Sequence, residues 1–175
     1  MMKFLLAVIG LFCWASVFAA DAAKIELRLV HPDNERIIEE IKAASAGSAL
    51  SGVPAGYEYI QTDDGVFIVE KEPCLKINQL EKIEVISRMF PPPGGKGLGP
   101  VLRQMEYIVF VILNAADRAA FAKITEVHCR RLLAIFCNGR FMAAPRIVGT
   151  ITTGNVQVYS GPDQAVAAAV AQSLE

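Results

Sequence analysis

From Lys24 to Val30 the chain reads KIELRLV, with Ile25, Leu27 and Leu29 alternating against polar neighbours. That is the period-two pattern of a half-buried strand. The period changes in DNERIIEEIKAAS, where Ile37, Ile38 and Ile41 share one face of a helix that Asp33 or Asn34 would cap. AGSALSGVPAG breaks that helix and reads as a loop. YEYIQ and GVFIVEK are two further strands, and the Asp-Gly of the intervening TDDG marks a hairpin turn. CLKINQLEK fits neither period cleanly, and a short helical turn is one reading of it.

IEVISRMF and RQMEYIVFVILN, rich in Ile, Val, Tyr and Phe, predict two strands. The most regular helix follows in NAADRAAFAKITEVHCRR. Asn114 caps it with Asp117 three residues on, and Phe121, Ile124 and either Val127 or His128 form the buried stripe. Arg130 and Arg131 suit its negative C-terminal end. LLAIFC is then a buried strand, Asn138-Gly139 a type I′ turn, and RFMAAPRIVGTIT the returning strand. Pro145 has no ladder donor, which puts the return at an edge or a bulge. NVQVYS is a short strand. Ser160 is the expected cap of the last helix, with Asp163 at the capping-box position and Val166, Val170 and Leu174 as its packing face. Strands and helices mix without strict alternation, so the expected fold is α+β: a mostly antiparallel sheet with about three helices packed on it.

Composition changes the picture at the N-terminus. Lys3 precedes the unbroken apolar run FLLAVIGLFCWASVF, and small residues follow at once, which is the order of a secretory signal peptide. Residues 1–19 are read as that signal. Val17 and Ala19 fit cleavage after Ala19, while Ala20 and Ala22 fit cleavage after Ala22. The competing reading is an uncleaved anchor, but no basic stop-transfer residues follow the run. Cys13 sits behind Phe12, where a lipobox would need a small residue. The expectation is an exported, periplasmic protein whose residues 24–175 form a single domain without a membrane span. The formal charge of −1 argues against a nucleic-acid or anionic-membrane binder, which would carry a basic excess. Three cysteines remain after the signal: Cys74, Cys129 and Cys137. Cys129 and Cys137 would form a disulfide if the helix end and the next strand met, but isolated cysteines at apolar positions are more commonly free thiols.

Candidate chemistry is sparse. His31 ends a strand and His128 lies near a helix C-terminus, with no pair at metal-ligand spacing, so neither a metal nor a cofactor is expected. No serine lies in GxSxG; Asp63-Asp64 are turn residues, and Glu39-Glu40 a solvated helix face. PPPGGKGLGP is glycine-rich but lacks a GK[ST] ending and opens no helix, so it reads as a hairpin tip rather than a phosphate loop. These absences favour a non-enzymatic binding module. The alternative is a small periplasmic enzyme or ligand-binding domain, with His128 or an acidic pair in a pocket.

The ordered motifs from Asn114 onward carry a resemblance. Phe121 and Thr125 on a helix are followed by Arg131, Leu133-Ala134-Ile135, Asn138-Gly139, Ala144-Pro145, Ile147, Ile151, Gly154 and Ser160-Gly161. In that order they resemble the head subdomain of the first periplasmic domain of SecD, of the SecDF protein-export family. KIELRLV, VPAGYEYI and FIVEKEPCLKINQLEKIEV resemble more weakly the portion that precedes it. Residues 114–175 are thus the motif-dense part. SecD has six transmembrane helices and uses the proton gradient, and nothing in these 175 residues beyond the N-terminal run corresponds to them. The proline- and glycine-rich tip and Cys74 also depart from the family. The resemblance implies what a head does, which is contact with a translocating polypeptide or an envelope protein. An edge strand around Pro145 would supply backbone groups, and Phe141, Met142 and Tyr159 adaptable apolar contact. The competing reading is that Phe141 and Met142 cover the core beneath the hairpin. Asn138, Gly139, Gly154, Ser160 and Gly161 are then structural.

Overall fold

A computed structural model describes residues 24–44, 52–63, 65–90 and 104–175. The expected signal peptide, the start of the loop after the first helix, Asp64 and the proline- and glycine-rich tip lie outside the described residues. The elements run β1 (Ile25–Leu29), α1 (Asn34–Ala44), β2 (Tyr57–Thr62), β3 (Gly65–Glu70), β4 (Leu75–Ile77), β5 (Leu80–Phe90) and β6 (Gln104–Leu113). They continue with α2 (Ala115–Val127), β7 (Leu133–Cys137), β8 (Arg140–Ala143), β9 (Asn155–Gly161) and α3 (Gln164–Ser173). Every strand pairing is antiparallel, and the fold is α+β.

A four-stranded sheet has the order β4-β1-β7-β8, and a three-stranded sheet the order β5-β6-β9. The hairpin β2-β3 stands beside them. Alternation along β1 does what its pattern demands. Ile25, Leu27 and Leu29 pair in register with Cys137, Ile135 and Leu133 of β7. These six side chains enter the main core, where they meet Val109, Val111 and Leu113 of β6, Val156 and Val158 of β9, Phe121 of α2 and Ala167 of α3. The polar positions of β1 turn the other way. Arg28 pairs with Glu26 at 2.5 Å and Glu58 at 2.6 Å, and its guanidinium lies 4.7 Å over the Phe136 ring. All five β7 residues are buried, because that strand is covered on both faces. Its second face carries Ala134 and Phe136 against Val30, Val69, Phe67 and Phe141. A third cluster seats Ile37 and Ile41 of α1 on Ile68 of β3.

Several local expectations are corrected. Leu75–Ile77, ambiguous in the sequence with a helical turn as one reading, is a strand, because its backbone completes the ladder on the outer side of β1. Asn34 opens α1, and its side chain reaches across to β3 instead: Ile68 N–H donates to Oδ1 at 2.7 Å and Nδ2 donates to the Val66 carbonyl at 3.4 Å. The buried residues of α2 are Phe121 and Thr125, whereas Ile124 is half-buried and Val127 exposed. The stripe is rotated because Thr125 satisfies its hydroxyl internally, donating toward the Phe121 or Ala122 carbonyl at 3.0 Å and accepting the Ile151 N–H at 2.9 Å. Asn114 does cap α2, accepting from the Ala116 and Asp117 N–H groups.

Ser160 is not the cap of α3. It belongs to β9, and Asp163 caps the helix by accepting from Ala165 and Val166 N–H at 2.8 and 3.2 Å. The packing face of α3 is Ala167, Ala171 and Leu174; Val170 is half-buried beside it and Val166 is exposed. Small alanines let the helix approach the sheet closely, so the larger valines sit at the flanks. The returning strand stops at Ala143, and beyond it the chain keeps an isolated bridge from Arg146 to Leu132 and backbone bonds from Pro145 and Ile147 to residues 130–133. Cys74, Cys129 and Cys137 are free; Cys137 is buried within β7 while Cys129 is exposed after α2, so the two are not bridged. Among the described residues no helix is long and apolar enough to cross a membrane.

Candidate functional site

The strands β8 and β9 are each the last strand of their own sheet, and they lie alongside one another without forming a ladder. The Asn138-Gly139 turn sets where β8 runs. Its two residues have φ of 49° and 76°, the left-handed pair of a type I′ turn. Asn138 also anchors the turn. Its Nδ2 donates to the Ser173 carbonyl at 2.7 Å and its backbone N–H to the Lys24 carbonyl at 2.9 Å. Lys24 in turn donates to the Leu174 carbonyl at 2.8 Å, which ties both chain ends of the described domain to this corner.

A register shift between Ile135 and Phe136 interrupts the β7–β8 ladder, with Ala143 opposite Ile135 and Phe141 opposite Phe136. The backbone is therefore both at an edge and bulged, either of which suits Pro145 two residues on. Pro145 itself is exposed, while its carbonyl accepts the Leu133 N–H at 2.9 Å. Below Pro145 an apolar pocket of about 210 Å³ opens between the Pro145–Ile147 stretch and β9. Phe110, Phe121, Leu133, Ile135, Ile151 and Val156 line it, and Asn155, Gln157 and Arg146 add polar groups to its wall. At the other end of β8 a shallower groove of about 520 Å³ runs between Met142 and α3, with Arg140, Val166 and Val170 on its sides.

The four candidate contact residues divide. Phe141 stacks on Phe67 at 5.1 Å and meets Phe136 edge-on at 5.7 Å, so it joins the four-stranded sheet to the β2-β3 hairpin. Tyr159 is half-buried in β9 and curls over Gly161, where a Cβ would fall 2.5 Å from the tyrosine hydroxyl. Met142 and Pro145 border the two openings. Gly154 has φ of 71° and lies against Arg118, and its carbonyl accepts the Leu113 N–H at 3.0 Å, which starts β9 beside β6. The Ser160 hydroxyl bonds Glu106; that bond, and then Arg88, hold the Glu106 carboxyl below its ordinary range. His128 caps the C-terminal end of α2. Among the described residues no group of three acidic, histidine or cysteine side chains is placed to hold a metal ion.

The pocket residues Phe110, Ile151, Asn155 and Gln157 were not site candidates in the sequence. Phe110 reads as one more apolar position in a strand, and only the pairing of β6 with β9 brings it beside Gln157.

No family model matches the chain, and no curated protein sequence does. Among solved structures, the crystal structure of SecDF in a super-membrane-facing form matches over 87% of this chain with a TM-score of 0.50 and 18% identity. The fold is SecD-like. A second match, a structure of a membrane component SecDF that enhances protein export, also covers 87% of this chain at 18% identity, with a TM-score of 0.49. The chain spans 18% of the first of these SecDF chains and 62% of the second. Within the SecD-like fold the resembling motifs fall at its corners. Asn138-Gly139 turns β7 into β8, Gly154 starts β9, and Ser160-Gly161 ends it.

Proposed function

We propose that this chain is a polypeptide-binding module of the protein-export type, acting after export in the periplasm. The observation that carries the reading is the apolar pocket between the edge strand β9 and the Pro145–Ile147 stretch that follows the edge strand β8. Edge strands offer backbone donors and acceptors to an extended chain, and a neighbouring pocket selects one of its side chains. At about 210 Å³ the pocket is below the roughly 300–1,000 Å³ of sites built for drug-sized ligands, and its size suits one large apolar side chain. Its lining of Phe, Leu and Ile supplies the affinity, and the polar groups at Asn155 and Gln157 can meet the backbone of the guest. The SecD-like fold supports the export context, through its likeness to SecDF. Met142 borders the second groove, beside α3, and offers a separate adaptable apolar contact. Phe141 and Tyr159 contribute indirectly, by holding β8 and β9 in place.

Photo-crosslinking tests this. A photoreactive residue at Gln157, on the pocket wall, is expected to trap a range of extended polypeptides in cells exporting protein. The same probe at Glu39, on α1, is the control. Equal yields at the two positions, or no adducts at Gln157, would overturn the reading. Ile151→Trp, which fills the pocket from its own lining, is expected to reduce the adducts at least tenfold.

A further inference from the structure

A third concavity lies where the exit of α2 meets the entry to α1. It has a volume of about 490 Å³ and is bounded by His31, the first residues of α1, and the segment Cys129–Leu132 with Arg146. Four arginines reach it, Arg36, Arg130, Arg131 and Arg146, against two carboxylates, Asp33 and Glu35.

Partners divide the arginines. Arg36 is committed to Asp33 at 3.2 Å and Glu40 at 2.6 Å. Arg131 donates to the Val30 carbonyl at 2.8 Å and pairs with Glu70 at 3.4 Å. Among the described residues neither Arg130 nor Arg146 has a carboxylate partner; Arg146 donates one Nη1 bond of 2.7 Å to the Arg130 carbonyl and keeps its remaining donors. Arg130 and Arg146 are both exposed and both line this concavity, so two guanidinium groups without a carboxylate partner are available there to share an anion.

Arg130 carries a second peculiarity. Its φ is 73°, in the left-handed region. The backbone holds it there, with its N–H donating to the Ile147 carbonyl at 2.7 Å. Glycine or asparagine would serve that turn with less strain. The turn therefore explains the conformation but not the choice of an arginine there.

We propose that this cleft is a binding site for a phosphate group. The planar forks of Arg130 and Arg146 present paired N–H donors, and the two charges match a phosphate dianion better than a single carboxylate. Glu35, which also lines the cleft, opposes the ligand and sets its affinity lower than two arginines alone would allow. Free phosphate and a phosphate carried on a lipid headgroup share this chemistry.

The test uses the purified protein at constant ionic strength, so that screening does not change between points. Inorganic phosphate is titrated while the amide signals of Arg130, Arg131 and Leu132 are followed by NMR, with chloride as the control anion. Co-sedimentation with phosphatidic acid vesicles, against phosphatidylcholine vesicles, distinguishes a headgroup source. Saturable binding of either probe is expected, weakened at least tenfold in Arg130→Gln/Arg146→Gln and tightened severalfold in Glu35→Gln. Glu35→Gln lies on an exposed helix position and keeps the test decisive should the double variant not fold. Binding of neither probe overturns the proposal. So does binding that both sets of substitutions leave unchanged.

Discussion

Thr125 shows how much one polar side chain decides. It is wholly buried, and its hydroxyl is both the donor to its own helix and the acceptor for Ile151 N–H. Thr125→Val keeps the shape but strands that amide in the core, so a loss of about 1–3 kcal/mol is expected in chemical denaturation. The cysteines divide by the same logic of burial. Cys74, whose thiol donates to the Leu27 carbonyl, and Cys137 within β7 are both pushed up by burial from an ordinary 9.0 to about 11. Cys129 is exposed. At pH 8 a thiol reagent is expected to modify Cys129 quickly, and Cys74 and Cys137 only on unfolding. Raised thiol values mean that the folded state favours the neutral form. That contribution is complete below pH 9 and is lost as pH rises through about 11, so denaturation midpoints are expected to fall across this window. In Cys74→Ala/Cys137→Ala the fall is expected to be smaller.

Among the elements, α3 is the most instructive. Ser160, Pro162 and Asp163 all carry helix-start chemistry, and local pattern alone points to Ser160 as the cap with Asp163 at the capping-box position. Pairing of β9 with β6 overturns that: Ser160 stands opposite Ile108 in the ladder and cannot also open a helix. Asp163→Ala is therefore expected to cost about 1 kcal/mol by thermal unfolding, and Ser160→Ala less, since its partner Glu106 is half-exposed and keeps Arg88 at 2.9 Å. Strands with clean alternation were legible, as β1 and the β2-β3 hairpin show. The segment Leu75–Ile77 was not, because three residues hold no period, and their extended form comes from β1 beside them. The α2 stripe was misread by one position for a related reason. Threonine counts as polar in a pattern, yet here it occupies the core because an amide from the Ile147–Gly154 connection reaches it.

For the whole molecule, the export reading makes a prediction of its own. Intact-mass measurement on protein recovered from the periplasm is expected to show a chain beginning at Ala20 or Ala23, and a full-length mass there would refute cleavage. Sequence by itself determined the α+β class, the Asn138-Gly139 hairpin, the buried β7 strand and the order of corner motifs that resembles a SecD head. Each of these depends on neighbours a few residues apart, whose periodicity and turn chemistry are written locally. Tertiary structure alone decided which end of α3 is capped by whom, which side chains of α2 are inside, and where the candidate sites lie. The apolar pocket joins Phe110, Phe121, Leu133 and Val156 from four separate elements, and the arginine cleft joins residues 31–36 to 129–132 and Arg146. No local pattern records such meetings, because they arise only when two sheets end side by side and a helix exit is folded back onto the first strand.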